Sequence, residues 1–444
     1  MGIEKIFRSK KHRDFFDADT LLRRLPALSV DEIQSLQLSS IQHIWSHCVK
    51  DVLYYQNLVK SGNAPLRIST WSDLHHIPRL TRKILQDEKS AFRRLSGPPD
   101  GSRITGGSTG EPIGLGVWNR ELRPQKLAKL ALWRRCGYEQ GDRLFLIWGH
   151  LHLLGSGLRK YWNHGVRKIK DRMLGYKRVN AYSLSPEKCD RIARSLIRFQ
   201  PRGLIGYASA LDYFVRQTTR YHAAFGHLGL KFVMPAAEMP PHPDTFALLE
   251  SVFQSPVIQE FGGVEFGQVA MKYGDEPFHV FHDLNYVETI DLSENDEDRN
   301  CCVVTSLNER YIPLVRYVQG DRLDAVQKLP NGHVQSFGSL RGRVNDVVLL
   351  SDGSVVHSVG ILHCIHQESS VINVQLILQD GGPKVHLVVN DRYDEKAEST
   401  IRARLHRISA ILGDAPIELV TDLETTRAGK RRWLIDQRTI KNVE

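Results

Sequence analysis

Three observations predict an α/β protein with a large N-terminal domain of mixed sheets and helices, residues 1–343, and a small, mobile α+β C-terminal domain, residues 344–444. Short apolar runs alternate with helical patterns in the first half of the chain, an order that builds a largely parallel sheet. Beyond about residue 265 the texture changes to successive short strands. A break at Leu340-Arg341-Gly342-Arg343 is then followed by a stretch with a strand and helix pattern of its own.

The first strong helical pattern opens at Ser29, with Asp31 and Glu32 in its first turn, and runs over 29–60. Leu36, Ile41, Ile44, Val49 and Val52 supply its apolar face. Further helices are predicted at 120–136 and at 186–199, the latter opened by Ser185-Pro186. The runs 144–148, 203–205, 231–234 and 257–258 read as strands bounded by turn residues. Strands are also expected within 278–291, 300–306 and 312–318. In the C-terminal domain they are expected at 346–350, 371–379, 384–390 and 417–420, with a helix at 395–412. There is no internal repeat and no low-complexity tract.

Composition sets the outer bounds. Of 444 residues, 41% are hydrophobic and 25% charged, which is ordinary globular usage and excludes collagen, coiled-coil arrays and long disorder. The net charge of +10 favours anionic or phosphorylated partners. The start MGIEKIFRSKKHRDFF is basic without a following apolar run, so no secretory signal is expected, and Ile6 departs from a myristoylation start. No apolar run is long enough to span a bilayer. Cys48, Cys136, Cys189, Cys301, Cys302 and Cys364 form no metal-type spacing and are expected as buried free thiols, which fits a reducing cytoplasm.

The segment Ile104-Thr105-Gly106-Gly107-Ser108-Thr109-Gly110-Glu111-Pro112 carries most chemistry. Glycines let backbone N–H groups approach an anion, and the Ser and Thr hydroxyls add donors. No lysine follows Gly110, so a P-loop NTPase is disfavoured. A flexible surface loop is the alternative for this segment taken alone.

TGGSTGEP resembles the SGGSTGEP phosphate loop of the adenylate-forming (ANL) superfamily, which includes acyl–CoA synthetases. Within it the chain looks like the phenylacetate–coenzyme A ligase and capsular polysaccharide biosynthesis subgroup, whose "vpyY" element is similar to the stretch Asp51-Val52-Leu53-Tyr54-Tyr55. The resemblance gives Thr105, Gly106, Gly107, Ser108, Thr109 and Gly110 to ATP phosphate. Phe261-Gly262-Gly263-Val264-Glu265 is similar to YGxTE, which implies Phe261 and Gly262 against adenine and Glu265 as a catalytic, magnesium-holding carboxylate. Val264 replaces the usual hydroxyl residue. Ala236-Ala237-Glu238 looks like the "gaE" element at the adenine edge.

Arg316-Tyr317-Val318-Gln319-Gly320-Asp321 resembles YRTGD, which gives Asp321 the ribose hydroxyls. Gly342-Arg343-Val344-Asn345-Asp346 resembles GRxDD, which puts Arg343 near ribose and phosphate and Asn345 at the hinge of the small domain. Thr425-Thr426-Arg427-Ala428-Gly429-Lys430 resembles the terminal TxxGK element, whose lysine stabilises charge at the carboxylate and α-phosphate. Trp148-Gly149-His150 and Gly155 look like the acyl-pocket segment, where His150 or His152 would gate the carboxylate; a packing or surface histidine is the alternative. The subgroup's cysteine-rich zinc site precedes a strand equivalent to 278–280. No cysteine stands there, so no zinc is expected.

The resemblance implies ATP-dependent adenylation of a small-molecule carboxylic acid with Mg2+, then acyl transfer to coenzyme A or another acceptor, by a cytoplasmic monomer or homodimer. AMP transfer to an acceptor hydroxyl, and a non-catalytic scaffold in polysaccharide assembly, are the other readings. Residues 159–178 add Arg159, Lys160, Arg167, Lys168, Lys170, Arg172, Lys177 and Arg178, interleaved with Tyr161, Trp162 and Tyr176. Ahead of nucleic acid, which is not expected, this stretch suggests an anionic acceptor or a peripheral contact with the inner membrane face; a solvated basic face is the plain alternative.

Overall fold

The computed structural model describes residues 2–24, 27–104, 113–148, 157–181, 183–237, 240, 242–291, 300–341, 347–368, 370–421, 423 and 434–438. The chain divides into two compact units. One comprises Met1–Thr105, Ile113–Gln140 and Ile258–Arg343; the other comprises Gly106–Pro112, Gly141–Val257 and Val344–Glu444. The division falls at 343–344, where the sequence pattern breaks, and also at 105–106, 112–113, 140–141 and 257–258.

In the first unit, the helix Gly2–Arg24 is fastened to the helix Leu122–Arg135 by charge. Arg134 grips Asp19 with two N–H···O bonds of 2.7 and 3.0 Å, and Lys126 and Arg123 reach Asp14 and Asp17. The helix Val30–Asp51 starts as its sequence indicates: the Ser29 hydroxyl accepts the Glu32 N–H, and the Glu32 carboxylate accepts the Ser29 N–H at 2.8 Å. The expected 29–60 helix is broken at Val52. That residue is extended (φ −131°), pairs with Arg94, and is fully buried, so a second helix, Leu53–Lys60, begins after it.

Two larger antiparallel sheets belong to this unit. One runs in the order Gln327–Lys328, Val334–Phe337, Phe278–Val280, Gly267–Tyr273, Ile258–Gly263. The other runs Asn285–Ile290, Cys301–Ser306, Tyr317–Asp324, Ser339–Arg341. The expected 278–291 strand therefore splits at a turn, closed by Leu284 N–H to Phe281 O at 3.0 Å. The expected 312–318 strand begins only at Tyr317. Ile312, Leu314 and Val315 are buried as their apolar pattern suggests, yet Pro313 lacks a donor and the chain bonds instead to a side chain. The Tyr55 hydroxyl donates to Pro313 O at 2.9 Å and accepts from Val315 N at 3.3 Å.

The second unit holds a fully parallel sheet in the order Tyr176–Val179, Leu144–Ile147, Gly203–Tyr207, Phe232–Ala236. Parallel strands need crossover connections. Here they include the helices Pro186–Phe199, capped by Ser185 as expected, and Ala208–Gln217. Gly203 is required by contact, because a Cβ there would lie 2.6 Å from both Leu144 and Phe232 side chains. The strand Tyr176–Val179 overlaps the end of the basic stretch, where no strand was expected. Residues of 344–444 form a four-stranded sheet, Ile417–Leu419, Gly382–Val389, Val371–Gln379, Leu434–Asp436, with a core including Leu376, Val385, Leu387 and Ile401. The expected 395–412 helix ends at His406, and a short helix, Ala410–Gly413, follows Ser409.

Four of the six cysteines, Cys48, Cys189, Cys301 and Cys302, are buried. Burial pushes the thiols of Cys48, Cys136 and Cys189 up to about 12, which suits packing and not nucleophilic work. Among the described residues no helix is long and apolar enough to cross a membrane.

A buried histidine pair ties the two sheets of the first unit. Val287 N–H donates to His333 Nδ1 at 3.1 Å, so Nε2 of a neutral His333 carries the proton and donates to His282 Nδ1 at 2.9 Å. Burial lowers the His282 pKa to about 4 and holds His333 well below its usual range. The unfolded chain thus binds more protons than the native one between about pH 4 and the free-imidazole value near 6.5, and stability falls as pH drops through that window. Burial raises Asp283 to about 6, which acts in the opposite direction. Acidifying from pH 7 to 5 should cost roughly 2 kcal/mol through His282 alone. Denaturant unfolding across that range should show this share vanish in His282→Gln, and an unchanged pH slope in the variant contradicts the neutral pair.

Candidate functional site

In the first unit the site is built around one turn. The strand Ile258–Gly263 ends in the glycines of the FGGVE segment, and Gly267–Tyr273 returns antiparallel to it. The register shifts between Phe261 and Gly262, and Gly262 has no room for a side chain: a Cβ would lie 2.3 Å from Gly267 O. Glu265 sits in the turn, its side chain 12% exposed, and its Oε1 accepts Arg82 Nη1 at 2.8 Å. Arg82 opens the helix Arg82–Asp87, capped by the Thr81 hydroxyl, so its backbone is fixed.

The turn is held from beneath by Arg310. This buried guanidinium donates through Nη2 to Glu265 O (2.5 Å) and through Nη1 to Phe266 O (3.0 Å). Buried Glu121 lies 3.7 Å away and also accepts the Tyr311 N–H at 2.8 Å. Arg94 in turn holds Arg310 O by two N–H···O bonds of 2.8 and 3.1 Å and lies 3.5 Å from Asp51. Glu265 is therefore preorganised by arginines from distant segments, none of which the sequence marks as functional.

The other predicted residues of this unit lie close in the chain to ordered features. Phe261 is 4% exposed, with its ring edge-on to Phe337 at 5.8 Å; so covered, it stacks on a ligand only if its neighbours move. Asp321 lies in the strand Tyr317–Asp324 after Gly320, whose φ is +96°. The Gln319 side chain folds onto it, accepting the Asp321 N–H at 2.9 Å and donating to its carboxylate. Arg316, which opens this motif, is left-handed (φ +51°), a strained state for a residue with a Cβ. Its guanidinium pins it, donating to Glu288 at 2.6 and 3.0 Å and to Ile77 O at 2.8 Å.

In the second unit, Trp148 and Ala236-Ala237, the described parts of two segments singled out from the sequence, stand at the C-terminal ends of parallel strands. Trp148, just past Leu144–Ile147, stacks on Tyr207 at 4.3 Å. Ala237 follows Phe232–Ala236 with φ +70°, a conformation that marks a constrained corner immediately before Glu238. Tyr207 itself ends the neighbouring strand Gly203–Tyr207.

Thr105, Gly106, Gly107, Ser108, Thr109, Gly110, His150, His152, Gly155, Glu238, Arg343, Asn345 and Lys430 lie outside the described residues. The hairpin Gly101–Ile104 with Gly114–Val117 brackets the glycine-rich segment, pairing Ile104 with Gly114. Glu265 fits a magnesium role by donor chemistry: Oε1 is engaged by Arg82, which leaves one carboxylate oxygen, the type of ligand Mg2+ uses alongside substrate phosphates.

No protein-family model matches the chain. Protein CapK of Staphylococcus aureus is 20% identical over 455 residues, covering 97% of this chain and 94% of that protein. The crystal structure of 2-hydroxyisobutyryl-CoA ligase in the postadenylation state with R3-HIB-AMP matches with a TM-score of 0.55 at 16% identity, covering 92% of this chain and 90% of that one. This chain has the fold of that CoA ligase. The same ligase with 2-HIB-AMP and CoA in the thioesterification state matches at 0.53 and 17% identity over 93% and 91% of the two chains. The match extends over both the large N-terminal part and the small C-terminal α+β part that the sequence predicts.

The structure makes Arg310 the keystone of the Glu265 turn. Arg310→Met takes the guanidinium away from two carbonyls and leaves the buried charge of Glu121 without its cation, and should destabilise the protein by about 3–5 kcal/mol. Denaturant unfolding checks this, and a loss under about 1 kcal/mol would show that the turn holds without the guanidinium.

Proposed function

We propose that the chain activates a carboxylic acid with ATP and then transfers the acyl group. The observation that carries this reading is the likeness of nine-tenths of the chain to a ligase crystallised with an acyl-AMP. The five motif segments, in superfamily order, support it from the sequence side. The carboxylate oxygen attacks the α-phosphorus, the bond to the bridging oxygen of pyrophosphate breaks, and acyl-AMP forms. A nucleophile then attacks the acyl carbonyl and AMP leaves with its oxygen. Coenzyme A, present in one neighbour, is one such nucleophile; a hydroxyl or amine of a surface-polysaccharide precursor is another.

In this reading the Thr105–Gly110 backbone cradles phosphate, Asp321 accepts the ribose hydroxyls, and Arg343 and Glu238 contribute to the nucleotide contact. Glu265, oriented by Arg82, holds Mg2+, which when bound offsets the charge of the leaving pyrophosphate. Lys430 stabilises charge developing at the α-phosphate. Asn345 is the hinge, and His150 or His152 borders the acyl pocket. Lys430→Ala should lower carboxylate-dependent pyrophosphate–ATP exchange by on the order of 10²–10³-fold. Glu265→Gln should raise the Mg2+ needed for half-maximal exchange. Exchange unaffected by the Lys430 change removes the assigned role.

The basic stretch gives the enzyme a second surface. Its helix, Gly157–Leu174, exposes Val166, Ile169 and Met173, spaced three and four residues apart and so on one face. Exposed Lys168, Lys170 and Arg172 flank them, whereas Arg178 is paired with Asp171 at 2.9 Å. An apolar stripe rimmed by lysine and arginine suits an anionic lipid surface. The protein should co-sediment with phosphatidylserine-containing vesicles, less so with phosphatidylcholine alone and less at high salt. Ile169→Ser should weaken this about tenfold, the scale of losing about 1.4 kcal/mol of apolar burial. Equal binding by the variant, or preference for single-stranded nucleic acid, overturns the membrane reading.

A further inference from the structure

A cluster unrelated to the nucleotide motifs stands on the helix Val30–Asp51. His43 and His47 are four residues apart and share a helix face. Their Nε2 atoms lie 3.5 and 3.6 Å from one oxygen, Glu309 Oε1. One donor atom from each of the three residues falls within 4.8 Å of the others. These spacings are long for a hydrogen bond. They are close to the edge of a tetrahedron with metal–ligand bonds of about 2.0–2.1 Å, which is about 3.4 Å. The other carboxylate oxygen is already oriented: Arg120 Nη2 donates to Glu309 Oε2 at 3.1 Å, and the Arg120 guanidinium lies 4.1 Å over the Trp118 ring. Such an outer partner aims a ligating carboxylate and leaves Oε1 for the cation.

We propose that His43, His47 and Glu309 bind a zinc-class divalent cation, with the fourth position open to solvent. Two imidazoles and one carboxylate select Zn2+ and its neighbours over Mg2+ and Ca2+, which want oxygen alone. The sequence argument excluded only a cysteine-held zinc ahead of 278–280. The ion would join the helix to the segment that carries Glu309, and the next residue along is Arg310, the support of the Glu265 turn. Occupancy would therefore restrain that support. The site does not depend on the adenylation reading, since binding is measured without ATP or acid.

The test uses the full-length, untagged protein stripped of metal and titrated with Co2+ while visible absorption is recorded. One saturable equivalent with the d–d bands of a low-coordinate site is expected, displaced by Zn2+, and Zn2+ should raise Tm. His43→Ala and His47→Ala should each weaken binding at least tenfold, and the double variant should abolish both the bands and the Tm shift. His279→Ala, which removes another exposed histidine near a glutamate, should change nothing. Should the His47 variant fail to match the metal-free wild type by circular dichroism, His43→Gln, at the more exposed of the two histidines, decides alone. Absence of saturable binding, or binding undiminished when these histidines are replaced, overturns the proposal.

Discussion

The first unit depends on one buried cation. Arg310 places a guanidinium where two consecutive carbonyls, those of Glu265 and Phe266, would otherwise be stranded away from water. A buried arginine is tolerable only with partners, and Glu121 supplies the charge while Arg94 fixes the Arg310 backbone. The arrangement converts a glycine-rich turn, which would be mobile by composition, into a rigid platform for a carboxylate. Gly262 makes the same point sterically, since its backbone passes too close to Gly267 O for any other residue. Precision at Glu265 thus comes from groups that never need to meet a substrate.

Local signals were legible wherever backbone chemistry is local. The cap and proline at Ser185-Pro186 located the helix Pro186–Phe199 to the residue, and Ser29 with Asp31 and Glu32 located the start of the helix Val30–Asp51. The apolar runs gave three members of the parallel sheet. The fourth, Tyr176–Val179, was hidden because lysine and arginine dominate its composition, while its strand character comes from pairing with Leu144–Ile147. Val52 broke a good helical pattern because a long-range bridge to Arg94 outweighs propensity.

For the site, the motif segments were readable because each packs its chemistry into a few consecutive residues. Its supports were not. Arg82 and Arg310 reach Glu265 from far along the chain in either direction, and nothing local separates them from other arginines. Strain tells a related story: Arg316 and Ala237 adopt left-handed backbones beside motif positions, which sequence alone does not reveal for residues other than glycine. The sequence reading did not single out His43 and His47, four residues apart on one helix, because Glu309 completes the set only in three dimensions.

The central claim is that the carboxylic acid, and not an acceptor hydroxyl, takes the AMP. The direct measurement is mass spectrometry of quenched reactions containing the protein, ATP–Mg2+ and a panel of aryl, fatty and sugar-derived acids. The account predicts an acyl-adenylate, equal in mass to acid plus AMP less water, that disappears when a thiol or other acceptor is added. A stable AMP–acceptor conjugate, or intact ATP with every acid, would contradict it.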